Sequence, residues 1–267
     1  MDSTLRPRSA SEIVDATFRL FRRHAGTFLV FAVAATAPQL LIQLAAALIG
    51  GSGPWRNGLG LGGMAALAGA TLVGTPLVIA YYAVMMGGFA ALADDAVRTD
   101  APDAAAAVRV GLRRAWASLG TGLLAGLATV AGLVLLVLPG LYVAARLVTA
   151  IPTCVVEEVG PREAVRRAWA RGRGHAGHAF GVLFLMFVLL MVAGGAAGLV
   201  SGAATLAGNK ALGAVLDFVL GAAATVLVQP LFPLATQLLY YDLRVRTDGY
   251  DLERMADALG APAAAGA

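Results

Sequence analysis

The amino-acid sequence predicts an all-α integral membrane protein with six transmembrane helices, arranged as three hairpins that are each preceded by an amphipathic interfacial helix. Of its 267 residues, 59% are hydrophobic and 13% are charged, whereas about a quarter of the residues in a water-soluble domain are charged. Several apolar stretches exceed the roughly 20 residues that cross a hydrocarbon core about 30 Å thick. Their length and their Ala, Leu and Gly content favour helices over the short alternating strands of a barrel.

Polar breaks divide the apolar sequence into six predicted spans. These lie near residues 26–49, 64–93, 118–138, 141–156, 179–201 and 211–241. Only Pro139 and Gly140 separate the third span from the fourth, so we expect a sharp reversal at this pair and a short fourth span. We expect a single membrane domain over residues 1–260, with a cytoplasmic tail over residues 242–267 whose end is disordered.

The first interfacial helix has a well-marked start and two different faces. Ser9 precedes Glu12 by three residues, which is the spacing of a capping box. Ile13 and Phe21 fall on one side of this helix and Arg19 on the other, as expected of a helix that lies in the headgroup region.

The distribution of basic residues predicts the orientation in the membrane. Four segments hold 17 of the 20 Lys and Arg residues; they span residues 6–23, 98–114, 162–173 and 244–254. The opposite side has only Arg56 and Lys210, and Arg146 lies inside a span. Because Lys and Arg near span ends are retained in the cytoplasm, we expect both termini there. The Arg-over-Lys and Ala bias is typical of bacteria of high genomic G+C content, so we expect the plasma membrane of a bacterium.

An apolar residue followed by two arginines recurs before each predicted hairpin. The triplets are Phe21-Arg22-Arg23, Leu112-Arg113-Arg114 and Val165-Arg166-Arg167. Three matches at corresponding positions predict a repeated unit of one interfacial helix and one hairpin. Two roles fit these arginines: they bind anionic lipid headgroups, or they only set the topology. Some of them also have nearby candidate partners in Asp94, Asp95, Glu157 and Glu158 at the ends of the even-numbered spans.

Arg146 and Asp217 are the charges that lie most clearly inside predicted spans. Arg146 follows the Pro139-Gly140 turn by six residues, and Asp217 follows Lys210 by seven. At 1.5 Å per residue both lie about 10 Å below the outer surface, so they form a candidate intramembrane ion pair. The alternative is that Arg146 extends to the surface and that Asp217 meets water or Lys210.

No residue spacing in the sequence favours catalysis. Cys154 is the only cysteine, so the chain has no intrachain disulfide. His175 and His178 lack a neighbouring carboxylate or cysteine cluster that would complete a metal site. We therefore expect no enzymatic activity, no cofactor and no nucleic-acid partner. The expected partners are membrane lipids, anionic lipids among them, and a membrane protein or a further copy of the chain.

Four stretches carry a resemblance to a known family. They are Arg6-Pro7-Arg8-Ser9 with Phe18 to His24, Leu138 to Tyr142, Pro152 to Trp169, and Leu239 to Arg246. Over nearly its whole length the chain resembles bacterial membrane proteins related to the membrane domain of some glycerophosphoryl diester phosphodiesterases. The resemblance implies a stand-alone helical membrane domain without the soluble catalytic barrel of the longer relatives.

The expected function is that of a non-catalytic membrane module that organises lipids or partner proteins. The alternative is a small transporter or channel with a polar path near Arg146 and Asp217.

Overall fold

The computed structural model of the chain describes residues 8–50 and 61–248, and nearly all of them are helical. The described residues form ten helices: α1 (Ala10–Arg23), α2 (Ala25–Gly50), α3 (Leu61–Arg98), α4 (Ala104–Leu135), α5 (Val137–Leu147), α6 (Ala150–Val156), α7 (Pro161–Arg171), α8 (Ala176–Leu206), α9 (Lys210–Val228) and α10 (Leu231–Asp248). The predicted all-helical class is confirmed.

Within residues 8–50 and 61–248, six segments are long and apolar enough to cross a membrane, which agrees with the predicted number of spans. They are Ala25–Ile42, Gly74–Arg98, Ala104–Leu135, Val137–Val156, Ala176–Leu206 and Leu212–Thr247. The predicted tail begins inside α10, which continues to Asp248. The end of the tail, predicted to be disordered, lies outside the described residues.

Helix α1 has the predicted capping box and a buried face. The Ser9 Oγ accepts a hydrogen bond from the Glu12 N–H at 3.2 Å, and the Glu12 carboxylate accepts one from the Ser9 N–H at 2.8 Å. Each side chain thus satisfies a backbone donor that has no partner inside the helix. Ile13, Ala16 and Thr17 are buried, and Ile13 and Ala16 belong to a core cluster with residues of α8 and α10.

The two other predicted interfacial helices differ from each other. Gly160 and Pro161 begin α7 as a separate helix, and Gly174, with φ +78°, follows its end. Residues 104–116 instead form the first turns of α4, which runs without a break from Ala104 to Leu135. Because the sequence has no proline between residues 103 and 138, nothing separates this segment from the span that follows.

The reversal between the third and fourth spans lies at Leu136, three residues before the predicted turn at Pro139 and Gly140. Leu136 has extended backbone angles, φ −167° and ψ 152°. Pro139 lies in the first turn of α5, where its missing N–H is tolerated because the first N–H groups of a helix have no intrahelical acceptor. If the helix continued, the Pro139 ring would clash with the carbonyl group of Leu135, four residues earlier. Helix α4 ends at Leu135.

The same steric rule fits two further breaks, which precede Pro152 and Pro233, whereas α3 continues past Pro76. The residue four positions before Pro152 is Val148, and α5 ends directly before it. The residue four positions before Pro233 is Gln229, and α9 ends directly before it. The predicted fourth span is therefore divided into α5 and α6, and the predicted sixth span into α9 and α10.

Pro38 lies inside α2 without breaking it, and another side chain replaces the hydrogen bond that proline cannot donate. The carbonyl four residues before Pro38 belongs to Ala34, and the Tyr81 hydroxyl on α3 donates a hydrogen bond to that oxygen. The bond satisfies the carbonyl in an apolar environment and also joins α2 to α3.

Helices α3 and α4 approach each other closely at Gly111. A Cβ atom on Gly111 would lie 2.3 Å from the carbonyl oxygen of Val84, so only glycine fits there. On the facing helix, a Cβ atom on Gly88 would lie 3.3 Å from the carbonyl oxygen of Ala107. Small residues at a contact between two apolar helices are typical of membrane proteins, where close backbone packing supplies much of the attraction.

Burial and charge concentrate at one end of the bundle, which we call the arginine-rich end. It comprises residues 8–24, 94–114, 157–175 and 240–246. Toward this end Leu92 and Leu239 are fully buried. Around the reversal at Leu136, in contrast, the leucine and valine side chains of residues 133–138 are exposed. Exposed apolar side chains of this kind are suited to contact with lipid tails.

Tyr81→Phe should lower the free energy of unfolding by about 1–3 kcal/mol, because it leaves the Ala34 carbonyl without a donor. In a Pro38→Ala background the N–H of residue 38 can donate to that carbonyl, so the same substitution should cost much less. Thermal unfolding of the native chain, both single variants and the double variant, followed by circular dichroism in one detergent, measures the difference. An equal cost of Tyr81→Phe in the two backgrounds would contradict this role for the hydroxyl.

Candidate functional site

Glu157 joins three helices at the arginine-rich end. Its side chain is 11% exposed, and it accepts hydrogen bonds from Arg167 at 2.7 Å, from Arg171, and from the Tyr240 hydroxyl at 2.8 Å. Burial raises the pKa of this carboxyl, but the hydrogen bonds from Arg171, Arg167 and Tyr240 outweigh burial and hold the pKa below its ordinary value. Glu157 is therefore ionised at neutral pH and links the end of α6 to α7 and α10.

Asp94 and Asp242 make two further links to α10. Asp94 accepts hydrogen bonds from Gln237 at 2.9 Å and from the Tyr241 hydroxyl at 2.5 Å. Asp242 accepts a hydrogen bond from the backbone N–H of Arg8 at 2.6 Å, and its second oxygen lies 3.0 Å from the Nε2 of His178. Through these two carboxylates α10 is tied to α3, to α8 and to the segment before α1.

The second arginine of each repeated pair has a carboxylate partner. Arg23 pairs with Asp100, and Arg114 lies 3.2 Å from Glu158. Arg167 contacts Glu157, as described above, and Glu163 at 2.7 Å. Arg114 and Arg167 thus pair with two of the acidic residues that the sequence offered as candidate partners, Glu158 and Glu157.

The partners of Arg23 and Arg114 share an unusual backbone conformation. Asp100 has φ +56° and Glu158 has φ +55°, in the left-handed region that residues other than glycine rarely adopt. Asp100 precedes Pro102 by two residues, and Glu158 precedes Pro161 by three. The pairing of Asp100 with Arg23 was not predicted from the sequence, although an acidic residue shortly before a proline occurs in both units.

The first arginine of each pair is exposed. Arg22 and Arg113 are exposed, and neither contacts a carboxylate of the described residues. Arg166 is also exposed, but both of its nitrogen donors bind Glu163 on its own helix, at 2.8 and 2.7 Å. Hydrogen bonds from Arg166 and Arg167 lower the pKa of Glu163 to about 2. Within the described part of the chain, Arg22 and Arg113 are thus the arginines of the three pairs that lack a carboxylate partner.

Arg113 lies on an outward face of α4 that also carries apolar side chains. Arg109 and Arg113 are exposed on this face, Leu112 is 61% exposed and Trp116 is 76% exposed. Residues three and four positions apart share one face of a helix, so these four side chains are neighbours. A helix surface that carries arginines beside an exposed leucine and an exposed tryptophan is typical of the boundary between lipid headgroups and hydrocarbon.

Arg146 is 6% exposed and contacts α7 rather than Asp217. Its guanidinium donates to the Trp169 carbonyl and to the Tyr142 hydroxyl, the latter at 3.2 Å, and its central carbon lies 3.7 Å from the centroid of the Trp169 ring. A cation over an indole face is attracted by the ring quadrupole.

Asp217 lies between α8 and α9, where it accepts a hydrogen bond from the Ser201 hydroxyl at 3.2 Å. The two charges predicted to pair thus contact different helices, and the structure does not bring them together. The prediction used depth along the chain, which does not specify the direction in which each side chain points around its helix.

Within residues 8–50 and 61–248, no three His, Cys, Asp or Glu side chains are grouped so that they could hold a metal ion. The Sγ of Cys154 is buried and donates to the carbonyl of Val159 at 3.4 Å. Comparisons with models of protein families, with curated proteins and with solved structures found no match to this chain. The function is therefore inferred from the geometry of the arginine-rich end.

Glu157→Gln should lower the free energy of unfolding at pH 7 by about 1–3 kcal/mol, because three donors lose a charged acceptor. The folded-state pKa of Glu157 lies below its ordinary value of 4.5. The ionised carboxylate therefore stabilises the folded state fully above pH 4.5, and this stabilisation is lost as the pH falls through the folded-state pKa. The difference between native and variant should therefore shrink below about pH 4.5, in unfolding curves measured from pH 7 to pH 3.

Glu158→Gln is the matched control for Glu157→Gln, because Glu158 is the next residue, is 70% exposed and makes one ion pair. It should cost at most about 1 kcal/mol at pH 7. Equal costs for the two variants, or a Glu157→Gln difference that does not change with pH, would contradict the role assigned to Glu157.

Arg114→Glu should destabilise the protein, because it places two carboxylates side by side, and Glu158→Arg in the same chain should restore part of the loss. The coupling energy expected for a partly exposed pair is about 0.2–1 kcal/mol. A double-mutant cycle on the free energy of unfolding measures this coupling. Rescue by Asp94→Arg instead of Glu158→Arg would show that the pairing described here is not the one in the membrane.

Proposed function

We propose that this protein is a non-catalytic multi-pass membrane module that binds anionic lipid headgroups at its arginine-rich end. The observation that supports the proposal is the division within the arginine pairs. Arg23 and Arg114 are held by carboxylates of the chain, whereas Arg22 and Arg113 are exposed and have no carboxylate partner among the described residues. If the paired arginines served only to neutralise carboxylates of the chain, Arg22 and Arg113 would not both lack a carboxylate partner among the described residues.

The surroundings of Arg113 favour a lipid over a soluble anion. The exposed Leu112 and Trp116 lie on the same face, so a ligand at Arg113 would meet a phosphate-binding cation at one end and apolar side chains at the other. A phospholipid has this combination of an anionic headgroup and an apolar tail. Near an anionic leaflet each exposed arginine contributes about 1 kcal/mol to the attraction.

In this proposal the arginine-rich end lies in the cytoplasmic leaflet of a bacterial plasma membrane, and both termini are cytoplasmic. The six spans form three hairpins, and α1, the first turns of α4, and α7 are the three interfacial helices. The excess of arginine at one end supports this orientation. The relation to the membrane domain of glycerophosphoryl diester phosphodiesterases, without their catalytic domain, is part of the same proposal and is supported by the four stretches quoted above.

The alternative of a small transporter or channel has less support. It relied on a polar path near Arg146 and Asp217, but Arg146 contacts Tyr142 and Trp169 while Asp217 contacts Ser201. Nothing in these contacts joins the two charges into one path.

Arg113→Gln should weaken the preference of the protein for anionic lipid by about fivefold, which corresponds to about 1 kcal/mol. Trp116, one turn away on the same face, reports on the bound lipid through its fluorescence. The experiment compares quenching by brominated phosphatidylglycerol with quenching by brominated phosphatidylcholine in reconstituted bilayers, and Trp116→Phe identifies the part of the signal that belongs to this indole.

Arg114→Gln is the matched control, because it removes one charge from the next residue but takes it from an ion pair with Glu158. It should change the lipid preference at Trp116 much less than Arg113→Gln does. An unchanged preference in Arg113→Gln, or equal losses in both variants, would overturn the assignment of Arg113 to a headgroup.

A further inference from the structure

A groove runs between α8 and α9, away from the arginine-rich end. It encloses a volume of about 210 Å³, and its lining includes Gly194 and Gly198 of α8 and Asp217 and Gly221 of α9. The remaining lining is apolar apart from Thr225. The groove is independent of the proposed lipid site.

The glycines of the groove are not used to pack this chain against itself. A Cβ atom added to Gly194, Gly198 or Gly221 would meet no atom within 4 Å. Near the tip of the hairpin formed by α8 and α9 a glycine is tightly packed, because a Cβ atom on Gly213 would lie 3.1 Å from the carbonyl oxygen of Ser201. The two helices thus touch near the tip and leave an open surface of small residues along the groove.

Asp217 brings a charge into this open surface. The Ser201 hydroxyl supplies one hydrogen bond to Oδ1, whereas a carboxylate has room for about four. Asp217 lies in a membrane-spanning segment, seven residues after the start of α9, or about 10 Å along the helix from the hairpin tip. A carboxylate at such a depth is costly unless a cation or a further donor faces it.

We infer that this groove is the docking site for a transmembrane helix of another membrane protein, and that this helix carries a Lys or Arg within its apolar span. Gly194 and Gly198 are four residues apart, the spacing that lets two membrane helices approach closely. The basic side chain of the partner faces Asp217 and satisfies the carboxylate.

Charge complementarity decides between this occupant and a second copy of the chain. A symmetric dimer through the groove would bring Asp217 close to its own equivalent, and two carboxylates repel each other. A second copy also offers no free cation from Arg146, whose guanidinium is buried against Trp169. A different helix with its own Lys or Arg meets the requirement.

The experiment uses the full-length protein in lipid bilayers and synthetic transmembrane peptides of about 22 residues. One peptide is an Ala-Leu helix with a single Lys about seven residues from one end, to match the depth of Asp217. The second peptide has Leu at that position, and the third has its Lys at the centre. Energy transfer between labelled protein and labelled peptide measures association. The first peptide should bind about 3- to 30-fold more tightly than the Leu peptide, and more tightly than the third.

Two substitutions separate the charge from the shape of the groove. Asp217→Asn should abolish the preference for Lys over Leu, whereas Asp15→Asn, which removes an exposed carboxylate from α1, should leave it unchanged. Gly198→Leu should fill the groove and weaken the binding of all three peptides. Gly195→Leu is its control, because that position is equally open but does not line the groove.

Equal binding of the Lys and Leu peptides to the native protein, or a Lys preference that persists in Asp217→Asn, would overturn the proposal. So would energy transfer between two labelled copies of the native protein that is lost in both Asp217→Asn and Gly198→Leu, because the occupant would then be a second copy. The comparison of peptides on the native protein needs no variant, so it decides the question even where a substitution impairs folding.

Discussion

The carboxylate of Glu157 accepts hydrogen bonds from Arg167, Arg171 and Tyr240, and so joins α6 and α7 to the last helix of the chain. A charge that has lost most of its contact with water is tolerated only when several donors replace that water. Here those donors come from elements up to 83 residues apart in the sequence. The position of α10 at the arginine-rich end depends on this set of contacts, and Asp94 and Asp242 reinforce it.

Polar contacts of this kind carry unusual weight in a chain so rich in apolar residues. Lipid tails are as apolar as leucine, so burial of apolar surface between helices does not by itself hold membrane helices together. The structure shows two other sources of attraction. Backbone carbonyls that prolines leave without a donor find one in a neighbouring helix, as at Ala34 and Tyr81. Glycines such as Gly111 allow the backbones of two helices to touch.

The two proposals concern charges that the fold leaves incompletely satisfied, one set at the arginine-rich end and one within the membrane-spanning part of α9. At the arginine-rich end, carboxylates of the chain form ion pairs with the second arginine of each pair, whereas Arg22 and Arg113 are exposed. At the α8–α9 hairpin the open glycines and Asp217 form a surface that the chain itself does not cover. Together they describe a protein that holds lipid on one side of the membrane and a partner helix within it.

By itself the sequence determined the helical class, the number of spans, the capped start of α1 and the location of most of its arginines between the spans. These features depend on local hydropathy and on contacts between residues three or four positions apart. The sequence does not distinguish Pro152 and Pro233, which follow helix breaks, from Pro38 and Pro76, through which α2 and α3 continue. Only the tertiary structure decided that Arg114 meets Glu158, that Arg146 stacks on Trp169 and that Asp217 meets Ser201. Such contacts depend on the direction of each side chain around its helix and on the packing of elements far apart in the chain, which depth along a span does not specify.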